Sequence, residues 1–299
     1  MANVYVNVDL SQLPPPAVVE ELDYEQILAA MLADLQARDP SFSALVESDP
    51  AYKILEVAAY REMLVRQRVN DAAKAVMIAF AQGADLDHLG ANYDVRRLVI
   101  TPADPDAIPP VEAVYESDDD FRNRIVLSLE GYTTAGSRGS YQFHALSASG
   151  DVKDVAVDSD TPGTVQVAVL SRTGTGVAPE ETLEAVEESL TGEVRRPLCD
   201  TVVVQSATIV PYAITASLTL FPGVGQAEVL AAAQAAAEAY AAEQHRLGRD
   251  ITRSGLFAAL HQEGVQNVDL AAPASDIVIA WDEAPNCVGI SLEIEGTDE

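Results

Sequence analysis

The sequence predicts an α+β protein: a helical N-terminal region with one long helix, followed by two small tandem α/β sandwich domains. Three observations predict it. Apolar residues recur at three- and four-residue steps through the first third of the chain, the period of an amphipathic helix. From Ser137 onward, short runs of alternating valines, the strand period, are interleaved with further helical segments. Pro, Gly and Asp cluster between these runs, where turns and caps are needed. The chain divides on this basis into an extended N-terminal arm (1–22), a helical bundle-forming region (23–98), a Pro-rich linker and helix (99–136), a first α/β domain (137–208) and a second (209–299).

In the arm, Val4, Val6 and Val8 alternate with polar residues and Pro14, Pro15 and Pro16 exclude a helix. Asp23, with Gln26 three residues on, opens the first helix as a capping box. Ile27, Leu28, Met31, Leu32 and Leu35 form its apolar face, and Asp39-Pro40 ends it. Asp49-Pro50 starts the long helix, with an N-cap Asp and Pro at the first helical position. Its apolar residues (Ile54, Val57, Ala58, Leu64, Val65, Val69, Ala72, Val76, Ala79 and Phe80) predict a helix reaching Gln82, roughly 48 Å at 1.5 Å per residue. A helix that long with one apolar stripe packs on another helix, from its own chain or from a partner. Gly83 stops it, and Asp85 opens a short helix.

Four prolines between Thr101 and Val111 predict an extended linker. Ser117 caps the following helix, whose first turn, Asp118 to Asp120, complements the positive helix end. Phe121, Ile125 and Leu129 are expected to face inward. The first α/β domain then reads as a helix through Tyr141 and Leu146, strands at Val152–Val157, Val165–Val169 and Val202–Val204, and a helix after Pro179. The second reads as a strand from Ile214 to Leu220, an Ala-rich helix Gln226–Gln244 and a helix capped by Thr252. Strands at Val265–Val268, Ile277–Ile279 and Ile290–Ile294 complete it. Phe143 and Leu146 precede Gly150 as Phe257 and Leu260 precede Gly264, with a valine strand after each glycine. This echo points to an internal duplication; helix–Gly–strand is also common enough to arise by chance.

The net charge of −29 repels phosphate backbones and anionic membrane surfaces, so neither nucleic acid nor membrane is an expected partner. Solubility or a salty medium accounts for such acidity as well as acidic faces that meet basic partners do. Cys199 and Cys287 are far apart and suggest a reducing compartment without a disulfide framework. The N-terminus has neither the basic region nor the apolar core of a signal peptide, and the Ala-rich run contains Gln234 and Glu238, unlike a membrane span.

The motifs of catalysis are missing. His88, His144, His245 and His261 stand in no metal-ligand spacing, and Asp85-x-Asp87 and Asp118–Asp120 are explained by helix caps. Gly174-x-Gly176 and Gly223-x-Gly225 lack the remainder of a dinucleotide or phosphate-loop motif and read as turns. Ser137, Ser140 and Ser254 lack a nucleophile-elbow context, and Cys199 reads as a packed thiol. No enzyme activity, cofactor or metal is therefore expected, although a cytosolic enzyme with a scattered site is the alternative of another class. A deep pocket with convergent polar groups would favour that alternative.

Three stretches carry a family resemblance. The first is KILEVAAYRE at Lys53–Glu62, continuing through RQRVNDAA at Arg66–Ala73 to AQGADLDHL at Ala81–Leu89. The second is FRNRI at Phe121–Ile125 with EGYTTAG at Glu130–Gly136, then Tyr141 and FHAL at Phe143–Leu146. The third is EVRRPLCD at Glu193–Asp200, followed by GVQNV at Gly264–Val268. Together they resemble the baseplate assembly protein J family of contractile-tailed phages, in order, from about Val8 to Ile294. Cys199 stands where the resemblance leads one to expect threonine.

The resemblance implies a structural part of the baseplate wedge, in the virion tail after assembly in the host cytoplasm, with no catalytic residues or cofactor. The implied partners are further copies of the chain, paired within wedges and joined into a ring, smaller wedge proteins, and tail hub or sheath-initiating proteins. The equivalent part of a phage-derived bacteriocin or contractile injection system fits the same sequence. Taken with the long helix, it makes Ile54, Val57, Leu64, Val65, Val69 and Val76 candidate bundle contacts. Arg61, Arg66 and Arg68 become candidates for ion pairs with the acidic face of a second copy. The competing reading is that the apolar stripe faces the chain's own first helix and that the arginines are solvated.

Overall fold

The computed structural model describes residues 10, 13, 14, 16–133, 135–192, 197 and 199–298. Val4, Val6, Val8 and Pro15 of the expected arm lie outside the described residues, as do Glu193–Arg196 and Leu198 of the third matched stretch. The chain forms two compact units, a helical one ending at Arg96 and a mixed one beginning at Arg97. The fold is α+β with the helices of the first unit preceding all of the strands.

In the helical unit, α1 (Tyr24–Arg38) is capped by Asp23, whose carboxylate accepts from the amides of Glu25 and Gln26. A 3₁₀ turn, Pro40–Phe42, follows. The long helix α2 spans Pro50–Ala75, 26 residues or about 39 Å. It is one turn and more shorter than its apolar pattern suggests: Val76 leaves the helical region at φ −96°, ψ 4°, and the chain turns through Met77 to Ala81. Val76, Ala79 and Phe80 thus continue the helix period without belonging to the helix. Gly83, at φ +50°, begins α3 (Gly83–Ala91). The backbone preceding α1 is fastened to α2 by Asn70, which accepts from the Glu20 amide at 3.0 Å and donates to the Glu20 carbonyl at 2.8 Å.

The mixed unit opens with a hairpin where a linker was expected. β1 (Val99–Thr101) pairs antiparallel with β2 (Val114–Tyr115), and an Asp104–Val111 bridge closes its far end. Gly150 lies so close that a Cβ there would land on the Val99 carbonyl oxygen, which fixes the hairpin's base to the unit. α4 (Asp118–Gly131) buries Phe121, Ile125 and Leu127. Leu129, expected inside, is exposed, because the inward arc of this helix is taken by Phe121, Arg124, Ile125 and Ser128. Glu116 and Arg124 form a buried ion pair beneath it, Glu116 also accepting from the Leu98 amide.

After α5 (Arg138–Leu146), strands β3 (Val152–Asp158), β4 (Thr164–Ser171) and β5 (Thr201–Ser206) form a sheet in that order, with α6 (Glu180–Thr191) crossing between β4 and β5. β6 (Thr208–Leu220), α7 (Gln226–Gln244), α8 (Arg253–Leu260), β7 (Val265–Ala272) and β8 (Glu283–Thr297) build a second sheet, ordered β7-β6-β8. Ile277–Ile279 is no strand; Ile277 makes a single antiparallel bridge to Ile251, and the pairing does not extend into a ladder. In each sheet the central strand has one antiparallel and one parallel neighbour. The echoing segments are the same part of both: a helix leading into the antiparallel edge strand, α5–β3 and α8–β7. The chain enters the central strand after this part in the first sheet and before it in the second. Only Ala207 separates β5 from β6, and Ala168, Leu170, Ala207, Leu247 and Ala284 form a core cluster that draws on both sheets.

A candidate assembly interface on the long helix

The two faces of α2 differ. At about 100° per residue, Tyr52, Leu55, Ala59 and Met63 share one arc. This arc packs on Tyr24, Ile27, Leu28, Met31 and Leu32 of α1. Ile54, Val57, Leu64, Val65 and Val69 fall on the opposite arc, about 140° wide, and Val76 lies just past the end of the helix. All six are exposed, their relative accessibilities running from 41% to 69%. Tyr60 flanks them and is exposed too. The stripe therefore does not face the chain's own first helix. The sequence carried both faces, but a hydrophobicity count favours the richer one as the core. The face that packs inward does so through smaller or mixed side chains, Ala59 above all, that allow close helix approach.

The three arginines part company. Arg66 is engaged within its own chain, at 2.6 Å from Glu62 and 3.3 Å from Glu20. Arg61 and Arg68 lie on the exposed arc between the apolar residues and make no ion pair among the described residues. They set positive charge within the stripe of a strongly negative chain. Tyr60 was not among the sequence candidates; its place beside Arg61 in the first matched stretch was the available signal.

Isolated apolar side chains in water are ordinary for a protein surface, whereas several on one helical arc make that arc a candidate interaction surface. Burying each of these side chains is worth on the order of 1 kcal/mol at their present exposure. Five of them on one helix, about 5 kcal/mol, reach only the low end of the general cost of association, about 4–15 kcal/mol, and a symmetric contact that buries the strip from both sides doubles the gain.

Among the described residues no group of three or more His, Cys, Asp or Glu side chains could hold a metal ion. His144 Nε2 lies 3.2 Å from the Gly131 carbonyl oxygen. Cys199, expected to be packed, is exposed, because it sits on a turn beyond α6, and Cys287 is half-buried. No helix among the described residues is long and apolar enough to cross a membrane.

Residues 47–104 match the Baseplate J-like N-terminal domain, 133–206 the Baseplate J-like central domain and 212–293 the Baseplate J-like protein C-terminal domain. Baseplate protein J of Escherichia phage P2 is 51% identical over 299 residues, a match covering 98% of this chain and 99% of that one. Among solved structures, the 6-fold symmetrised cryo-EM structure of the anti-feeding prophage baseplate contains a chain that aligns with a TM-score of 0.41 and 14% identity. That alignment covers 60% of this chain and 43% of the other. This chain belongs to the baseplate J family.

Proposed function

We propose that the chain is a structural component of the baseplate wedge of a contractile phage tail, acting by protein–protein assembly rather than by catalysis. The observation that carries the reading is the exposed stripe of α2, five apolar side chains (Ile54, Val57, Leu64, Val65 and Val69) opposite the face already packed on α1. Family membership supplies the setting, and the stripe supplies a contact that the isolated chain leaves unmade. A second copy's α2 is the fitting occupant, since like stripes are self-complementary across a two-fold axis. Smaller wedge proteins and the hub or sheath-initiating proteins are the remaining partners of this reading. The equivalent role in a bacteriocin or injection machine differs in its neighbours, not in this contact.

Deleting the gene from its cluster and imaging the particles by electron microscopy tests the role. Tails without assembled baseplates are expected. Tails with normal baseplates would remove the structural reading.

A further inference from the structure

The unit from Arg97 onward contains a cleft of about 860 Å³. Every residue from Val152 to Asp160 lines it, so β3 is its floor, with α4, α5, residues 246–249 and residues 279–281 as walls. β3 is an outer strand of its sheet, and such a strand offers unpaired backbone groups to whatever lies beside it. Gln142 Nε2 already donates to one of them, the Val155 carbonyl, at 3.2 Å.

The charge of this cleft departs from that of the chain. Overall, 18 basic residues stand against 47 acidic ones. In the cleft Arg124, Arg138, Lys153, Arg172, Arg246 and Arg249 stand against Glu116, Asp120, Asp154, Asp158 and Asp160, a third of all the cations in one place. Arg124, Arg138 and Arg172 are paired with Glu116, Asp158 and Asp120. Arg246 reaches Asp120 only at 3.9 Å, and Lys153 and Arg249 make no ion pair among the described residues. Burial, then Arg246 and Arg172, hold the Lys153 ammonium below its usual pKa, so an added carboxylate would be favoured there. Val155, Val157, Leu127, Leu146, Ile279 and Trp281 line the same space with apolar surface.

The complementary object is on the same chain. The β1–β2 hairpin carries Asp104, Asp106 and Glu112, and no Lys, Arg or His occurs between Arg97 and Arg122. Ile108 near its tip is 100% exposed, and Val111, Val114 and Tyr115 are exposed behind it. The Asp104 carboxylate accepts from the amides of Asp106 and Ala107, which shapes the tip without help from outside. Yet none of residues 98–115 lines the cleft of its own chain.

We propose that the cleft receives the hairpin of a second copy, Asp106 and Glu112 meeting Lys153 and Arg249 while Ile108 enters the apolar part. The contact is head-to-tail: each copy offers one hairpin and one cleft, so it propagates and closes when the rotation per copy allows a ring. It rests on the baseplate reading for bringing copies together, and is separate from the two-fold contact of α2.

Sedimentation velocity on the full chain carrying Val65→Asp, which removes the α2 contact, isolates this one. Lys153→Glu with Arg249→Glu, and separately Asp106→Lys with Glu112→Lys, are each expected to weaken self-association by about tenfold or more. All four changes together should restore it. Mixing the cleft variant with the hairpin variant should restore association past the dimer, because native hairpin meets native cleft and reversed hairpin meets reversed cleft, while each variant alone stays monomeric. If Lys153→Glu lowers the melting temperature, Lys153→Gln with Arg249→Gln takes its place, with the same expected direction. A chain that stays monomeric before the charge changes, or association that the changes leave unaltered, overturns the contact, as does failure of the fourfold variant to recover. Inorganic phosphate bound by the Val65→Asp chain and not by the cleft variant, with association equal in both, would make this a small-anion site instead. In each of those cases the gene-deletion result still decides the baseplate role independently.

Discussion

Single side chains show where stability is concentrated. Glu116 and Arg124 are both nearly inaccessible, and Glu116 also holds the Leu98 amide while Arg124 reaches Ser147 Oγ at 3.1 Å. Removing one partner strands the other's charge. Glu116→Ala is expected to lower the unfolding free energy of the mixed unit by about 3–5 kcal/mol, read from the urea midpoint. A loss below about 1 kcal/mol would mean that water reaches the pair. His245 contributes to the pH response. Its Nδ1 lies 2.6 Å from the Pro285 carbonyl oxygen and its ring packs under Gly176, at φ +102°. Burial holds its pKa below 6.5; Lys153 acts in the same direction, while the Pro285 hydrogen bond and Asp154 oppose it. Below pH 6.5 the unfolded chain takes up a proton that the folded chain resists, so stability is lost as pH falls through that value toward the folded pKa. Melting temperatures at pH 7.5 and 5.5 should differ less in His245→Gln than in the parent. An equal difference would assign the response to other groups.

At the level of elements, the two faces of α2 answer to different demands, and one substitution separates them. Val65→Asp sits on the exposed arc, so the isolated chain should keep its circular dichroism spectrum and its stability within about 0.5 kcal/mol. Baseplate assembly with co-expressed tail proteins should fail. A chain that no longer folds would instead make Val65 part of an internal core, contrary to its exposure. Most elements were legible because local chemistry encoded them. Asp23, Ser117, Ser137 and Thr252 each cap a helix with their side chains, and the Ala-rich helix spans the residues its composition indicated. The departures have a common cause, since pattern records hydrophobicity and not what lies opposite. Val76 to Phe80 keep the helix period but leave the helix, Leu129 keeps it but points to water, and Ile277–Ile279 resembles a strand but pairs only through the single Ile277–Ile251 bridge. The hairpin escaped notice because its prolines masked two short strands, although the interruption at residues 102–110 is where a hairpin tip belongs.

For the molecule as a whole, the sequence conveyed the layout better than the surfaces. The order of helices and strands, and the resemblance along the chain, follow from short-range signals. The cleft could not be read that way, because Arg138, Lys153 and Arg249 meet only after β3 and the turn beyond α7 are brought together. The cores differ in a way that composition hid. The second sheet gathers fourteen buried residues, whereas the α1–α2 cluster has Ile27, Leu28 and Ala59. So slight a cluster gives the α1–α2 pair, unlike the part of the unit that buries Ala81, Leu86 and Val95, a small opening free energy, and susceptibility to proteases follows the population of open forms. Copies left over in the producing cell would thus be cut in their helical part and cleared, while copies locked among neighbours would be spared. The same thin contact between α1 and α2 would keep the supply of this subunit matched to the number of particles being built.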